Sequence, residues 1–208
     1  MCIRDRASNE EPLFLWINDF DDNGSIEKII TSRIDGEDRP ITVKRDLADQ
    51  LPGLKKENML HSDFAKRSIK DLFPKEKLQN STIKRVNYLN SVIAVNEGKG
   101  GFTVKKLNPE VQFSCVNVIT TMDIDNDGDE DVICAGNNHY LLPQFSQLDA
   151  NKGEVLINND GEFEYMNSSK TGLDLDGTVR EMTVIERNGQ KNLVVLINDK
   201  PSQVFTLK

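Results

Sequence analysis

Asp123-Ile124-Asp125-Asn126-Asp127-Gly128-Asp129-Glu130-Asp131 places carboxylates at positions 1, 3, 5 and 9 of a short segment, with glycine at position 6. Alternating acids on a chain that bends sharply at a glycine can converge, and oxygens gathered in this way suit a hard divalent cation. Calcium fits best, since it takes about six to eight oxygens at roughly 2.3–2.6 Å and tolerates irregular geometry. Without an ion, the crowded charges would repel. Asp19-Phe20-Asp21-Asp22-Asn23-Gly24-Ser25-Ile26-Glu27 repeats the pattern, with Asp19, Asp21, Asn23 and Glu27 at the ligand positions. The backbone carbonyl at position 7, Asp129 or Ser25, completes each predicted ligand set, with Asp123, Asp125, Asp127 and Asp131 as the side-chain ligands of the second. Val184–Asn192 keeps the glycine but has valine at position 1 and asparagine at position 9, and reads as the same turn without an ion.

The flanking residues decide what kind of loop this is. An EF-hand needs a glutamate at position 12 and helices on both sides. Position 12 is Cys134 in one loop and Ile30 in the other. Val116–Met122 and Val132–Gly136 flank the second loop, and Leu13–Ile17 and Ile29–Thr31 the first. All are rich in β-branched and apolar residues, so both loops are predicted to cap β-hairpins. Asp-Asn-Gly and Asn-Asp-Gly are also ordinary hairpin turns. It is the recurrence of the complete acidic pattern that favours an ion.

A second element recurs: an apolar strand, an asparagine-led turn and an aromatic that opens the next strand. It occurs at Val92–Phe102, at Val155–Phe163 and, more weakly, at Val194–Phe205. The predicted unit is strand, acidic loop, strand, then strand, Asn/Gly turn, strand. About sixty residues separate the second and third loops, and about sixty separate the turns at Asn96 and Asn158, but about a hundred separate the first two loops. Stacked four-stranded units predict an all-β fold, a partial β-propeller of about three antiparallel blades over residues 10–208. The extra length is a helical insertion at about 46–80 in the first blade, as two or three short helices. There Phe64, Ile69, Leu72 and Phe73 share one face, Ser62 is the expected N-cap, and Pro74 is a stop signal. The charged side of this insertion reads as a solvated face, with a docking surface as the alternative.

Composition narrows the function classes. The 208 residues carry a formal net charge of −8 and no basic stripe with interleaved aromatics, which argues against nucleic acid. No apolar run is long enough to span a bilayer as a helix. Met1–Arg6 has no apolar signal-peptide core and reads, with the rest of residues 1–9, as a non-native or disordered start. Cys2, Cys115 and Cys134 form no disulfide framework. His61 and His139 lack metal-ligand neighbours, and no nucleophile motif or phosphate loop occurs. A glycosidase carboxylate pair stays open by count.

The acidic loops, apolar strands and Asn-led turns resemble FG-GAP/VCBS repeats, the blades of integrin-α-like propellers. Arg45-Asp46-Leu47, Leu54-Lys55-Lys56, Ser62–Lys66, Gln112-Phe113-Ser114 and Leu148–Gly153 further resemble segments of the bacterial ASPIC/UnbV, cartilage-acidic-protein-like group. The resemblance implies a seven-bladed propeller, calcium in the blade hairpins and export. About three blades' worth of sequence and the lack of an export signal make this a C-terminal fragment in expectation. The expected function is calcium-dependent protein or glycan interaction outside the cell, without catalysis. The alternative is a carbohydrate-processing enzyme or its accessory blades, which would need two unliganded carboxylates roughly 5–9.5 Å apart across a cleft. Gly136–Phe145 is the candidate contact surface, or equally a packed connection.

Overall fold

The computed structural model describes residues 7–57, 60–141 and 147–207. These are mostly β, in four antiparallel sheets, none of them closed. They divide into two compact units, one reaching to Leu89 and the other starting at Asn90. Met1–Arg6, with Cys2, lie outside the described residues.

In the first unit, β1 (Leu13–Asn18) and β2 (Glu27–Ile34) flank the first acidic loop. β2 turns through Asp35-Gly36 into β3 (Glu37–Pro40). Five short helices follow: α1 (Lys44–Gln50), α2 (Gly53–Glu57), α3 (His61–Phe64), α4 (Ile69–Leu72) and α5 (Lys75–Gln79). β4 (Thr82–Val86) then returns to pair with β1, giving the order β3-β2-β1-β4. The helices cover one face of the sheet: Trp16, Phe20 and Ile29 bury together with Leu47, Leu51, Leu54, Phe64, Ile69, Leu72 and Phe73. The Phe20 ring lies 4.5 Å from that of Phe73, and Trp16 Nε1 donates to Thr31 Oγ1 at 3.0 Å. The expected N-cap at Ser62 does not form. The chain enters α3 two residues earlier, with Leu60 at the cap position, so Ser62 falls inside the helix. A cap forms instead at α4, where the Ser68 N–H and hydroxyl both donate to Asp71 Oδ2 at 2.8 Å. Asn9, within the expected irregular start, accepts a hydrogen bond from Arg85 Nη2 at 2.7 Å.

In the second unit, β5 (Val92–Gly98) and β6 (Gly101–Lys106) form a two-stranded sheet. β7 (Val116–Met122), β8 (Asp131–Gly136), β9 (Glu154–Asn159) and β10 (Glu162–Met166) follow as an up-and-down meander, in chain order across the sheet. After α6 (Ser168–Thr171) come β11 (Val179–Arg187), β12 (Gln190–Ile197) and β13 (Gln203–Thr206), again in chain order. Met122, Ile133, Val155 and Ile157 from the four-stranded sheet bury in one cluster with Met182, Leu193 and Val195 from the three-stranded one.

Two expectations about the repeats need correction. Val184–Asn192 is not a third copy of the acidic loop. Its strands stay paired down to Arg187↔Gln190, leaving a two-residue turn at Asn188-Gly189 with φ of 54° and 74°. That turn matches the twist of the strands, and with no acids to gather, the ladder closes onto it. Nor does the 92–106 hairpin complete the first sheet, which takes its outer strand from the Asp35-Gly36 hairpin. The predicted unit of four strands in chain order is found in residues 116–166.

Candidate metal centres

Each acidic loop is pinned by the last pair of a hairpin ladder, Asn18↔Glu27 in the first and Met122↔Asp131 in the second. Both loops turn with the same backbone. Positions 4 and 6 are left-handed in each: Asp22 at 58° and Gly24 at 86°, Asn126 at 63° and Gly128 at 99°. The glycines are required by conformation rather than space, because a Cβ on either would touch nothing.

This shared turn brings the acids together. One oxygen each from Asp19, Asp21 and Glu27 lie within 4.8 Å of one another, and so do those of Asp123, Asp125 and Asp131. Each cluster could hold a metal ion. The chain's own N–H groups orient them in parallel ways. Asp19 accepts from the Asn23 and Gly24 amides at 3.1 and 2.8 Å. Asp123 Oδ2 accepts from the Gly128 amide at 3.2 Å, while its Oδ1 is buried without a hydrogen-bond partner. At position 9, Glu27 Oε2 accepts from the Phe20 amide at 2.9 Å and Asp131 Oδ2 from the Ile124 amide at 2.7 Å. Asp131 is fully buried, and its second oxygen accepts from the Asn158 amide at 2.8 Å, which ties the loop to the end of β9.

The remaining predicted residues make hydrogen bonds within and beyond the loops. Asn23 Oδ1 accepts from the Ser25 amide at 2.7 Å, and Asp127 Oδ1 from the Asp129 amide at 2.9 Å. Position 5 therefore braces position 7, and Asp127 stays outside the carboxylate triplet. The Asp129 side chain turns away, with Oδ2 accepting from the Asp160 amide at 3.2 Å. The electrostatics differ within the loops. The Gly24 N–H does most to hold the Asp19 carboxyl below its ordinary value. Asp125 is pushed above its own, first by desolvation and then by the charges of Asp127, Asp131 and Asp123.

Sequence reasoning missed three contributors. Asn158 was visible only as the lead of a turn. Lys77, on α5, carried no signal; its Nζ donates to the Asp19 carbonyl at 2.8 Å and pairs with the Asp22 carboxylate. Asn137, 1% exposed and left-handed at φ 75°, is a buried hub. Its Oδ1 accepts from Ser114 Oγ at 2.7 Å and the Asn151 amide at 2.9 Å, and its Nδ2 donates to the Asn151 carbonyl at 2.7 Å. The start of the candidate contact segment is therefore packed connection. Tyr140 is exposed, donates to Asp199 Oδ2 at 2.7 Å and lies under the Arg180 guanidinium; residues 142–145 lie outside the described ones. Cys115 and Cys134 are not disulfide-bonded, and burial pushes the Cys134 thiol up to about 12.

Comparison with protein-family models, curated proteins and solved structures finds no match. The two acidic loops and their hairpins therefore carry the functional reading. No helix among the described residues is long and apolar enough to cross a membrane.

Proposed function

We propose that this chain is a non-catalytic, calcium-binding β-propeller module of the FG-GAP/VCBS type, used for protein or glycan interaction outside the cell. The observation that carries the reading is the pair of carboxylate triplets on matching backbones, one of which holds a buried acceptor, Asp123 Oδ1, with no donor. The donor set is all oxygen, which suits a hard cation; softer metals favour imidazole and thiolate. An irregular, partly main-chain cage favours calcium over magnesium, which demands near-ideal octahedral geometry. Propeller architecture is supported by the chain-order meander of β7–β10 and by its shared core with β11–β13. The interaction role is supported by the acids themselves: those that cluster are taken up as ligands, leaving none of them for chemistry.

Calcium supplies a central charge that offsets the repulsion within each triplet and clamps the hairpin end. Asp131 extends the clamp to β9 through the Asn158 amide. Loops of this kind on extracellular modules hold calcium with Kd of roughly 10⁻⁴–10⁻³ M. At ten times Kd, binding stabilises the fold by about 1.4 kcal/mol. Isothermal titration with calcium chloride tests this. The wild type is expected to bind two ions, and the Asp19→Ala/Asp123→Ala double variant none. A double variant that keeps the full calcium-induced rise in Tm refutes the reading.

A further inference from the structure

The two acidic loops share a backbone but not their surroundings. The second loop is tied to its neighbours by neutral donors, the Asn158 and Asp160 amides and Asn158 Nδ2, which donates to the Glu130 carbonyl at 3.2 Å. The first is met by a cation. Lys77 Nζ donates to the Asp19 carbonyl at 2.8 Å and pairs with the Asp22 carboxylate. The tie runs both ways, because Asn18 Nδ2 donates to the Lys77 carbonyl at 2.8 Å. The Lys77 side chain is only 21% exposed, whereas Lys75, Glu76 and Gln79 of the same short helix are exposed. An ammonium has thus been drawn into contact with the loop that gathers Asp19, Asp21 and Glu27.

We propose that Lys77 is a built-in counter-ion that sets the cation affinity of the first loop, making it weaker than the second, and that links ion binding to the helical insertion. This rests on the metal-binding reading above. The physics gives both signs. With no divalent ion bound, the ammonium relieves repulsion among the loop acids and so stabilises the hairpin. Once a divalent ion occupies the triplet, the same ammonium is a like charge held close to it. A unit charge about 6 Å from a divalent ion in water-like surroundings weakens binding by about tenfold. Asp22, at the non-ligating position 4, holds the ammonium at the rim, so the loop can take up an ion without expelling the lysine.

The test uses Lys77→Met, which keeps the aliphatic stem, and Lys77→Arg, which keeps the charge. Calcium chloride is titrated calorimetrically into each, in the full chain and in an Asp123→Ala background that silences the second loop. Lys77→Met is expected to tighten first-loop binding by about tenfold, to lower Tm in EDTA and to enlarge the calcium-induced rise. Lys77→Arg should resemble the wild type, and second-loop affinity should not change. Unchanged or weaker first-loop affinity in Lys77→Met overturns the proposal. So does an equal loss of Tm in EDTA and in calcium, the signature of a purely structural tie. Binding at the second loop with none at the first in any variant overturns the role of Lys77 alone; binding at neither loop also brings down the calcium reading.

Discussion

Asp131→Asn is the sharpest test of how the second loop is held. Asp131 is fully buried, and each of its oxygens accepts one backbone N–H, from Ile124 at 2.7 Å and from Asn158 at 2.8 Å. Asparagine keeps the shape but offers one acceptor and turns an NH₂ group towards the other N–H. One charge-assisted bond becomes neutral, and the other becomes a donor facing a donor. A hydrogen bond to a charged group contributes about 1.5–3 kcal/mol, and a buried donor left unpaired costs about 1–3 kcal/mol, so the expected loss is about 2–4 kcal/mol. Hydrogen exchange reads this directly. The Ile124 and Asn158 amides should exchange about thirty- to a thousandfold faster in calcium-free buffer, since about 1.4 kcal/mol is a factor of ten. In the wild type calcium should slow both amides further, and in the variant it should not. Unchanged protection of these two amides in EDTA would show that the two hydrogen bonds do not hold the loop. Full calcium-induced protection in the variant would show that Asp131 is no part of an ion site.

Three further predictions address stability. Ser68→Ala should cost about 1 kcal/mol by removing the hydroxyl from the α4 cap. The Ser68 amide and hydroxyl hold the Asp71 carboxyl below its ordinary value of 3.8. Asp71 thus contributes stability above that value and loses it as pH falls through the lower folded one. Asp71→Asn should flatten this acid limb in circular-dichroism melts; an unchanged limb would refute the cap's role. Glu154, 4% exposed, is shifted the other way, pushed up mainly by desolvation against hydrogen bonds from Tyr165 and the Lys152 amide. Its charged form is disfavoured in the folded state, so it destabilises the unit at neutral pH. Glu154→Gln should raise Tm at pH of about 7, and the gain should vanish below about pH 4, where the wild-type carboxyl is protonated folded or unfolded. A lower Tm at neutral pH would mean that those hydrogen bonds outweigh the burial.

Local chemistry made much of this protein legible. An acid at every second position before a glycine fixes a turn and the gathering of carboxylates, and the apolar runs on either side read as strands. The hairpins around both loops, the turns after Asn96 and Asn158, and the buried Phe64, Ile69, Leu72 and Phe73 all follow from patterns only a few residues long. The error at Val184–Asn192 came from reading a glycine turn as a relic of the acidic loop, when Asn188-Gly189 suffices to close paired strands.

What the sequence alone determined is that positions 1, 3 and 9 of each loop converge, because alternation, turn residue and strand end lie within nine consecutive positions. What surrounds each loop was decided by tertiary structure. Lys77 reaches the first loop from 58 positions away, and Asn158 reaches Asp131 from 27. The pairing of β4 with β1, and the burial of Asn137 among Ser114 and Asn151, have the same character. No local periodicity encodes such contacts. They arise when separate segments bury apolar faces together and their polar groups, shut off from water, must find partners in whatever the packing brings near.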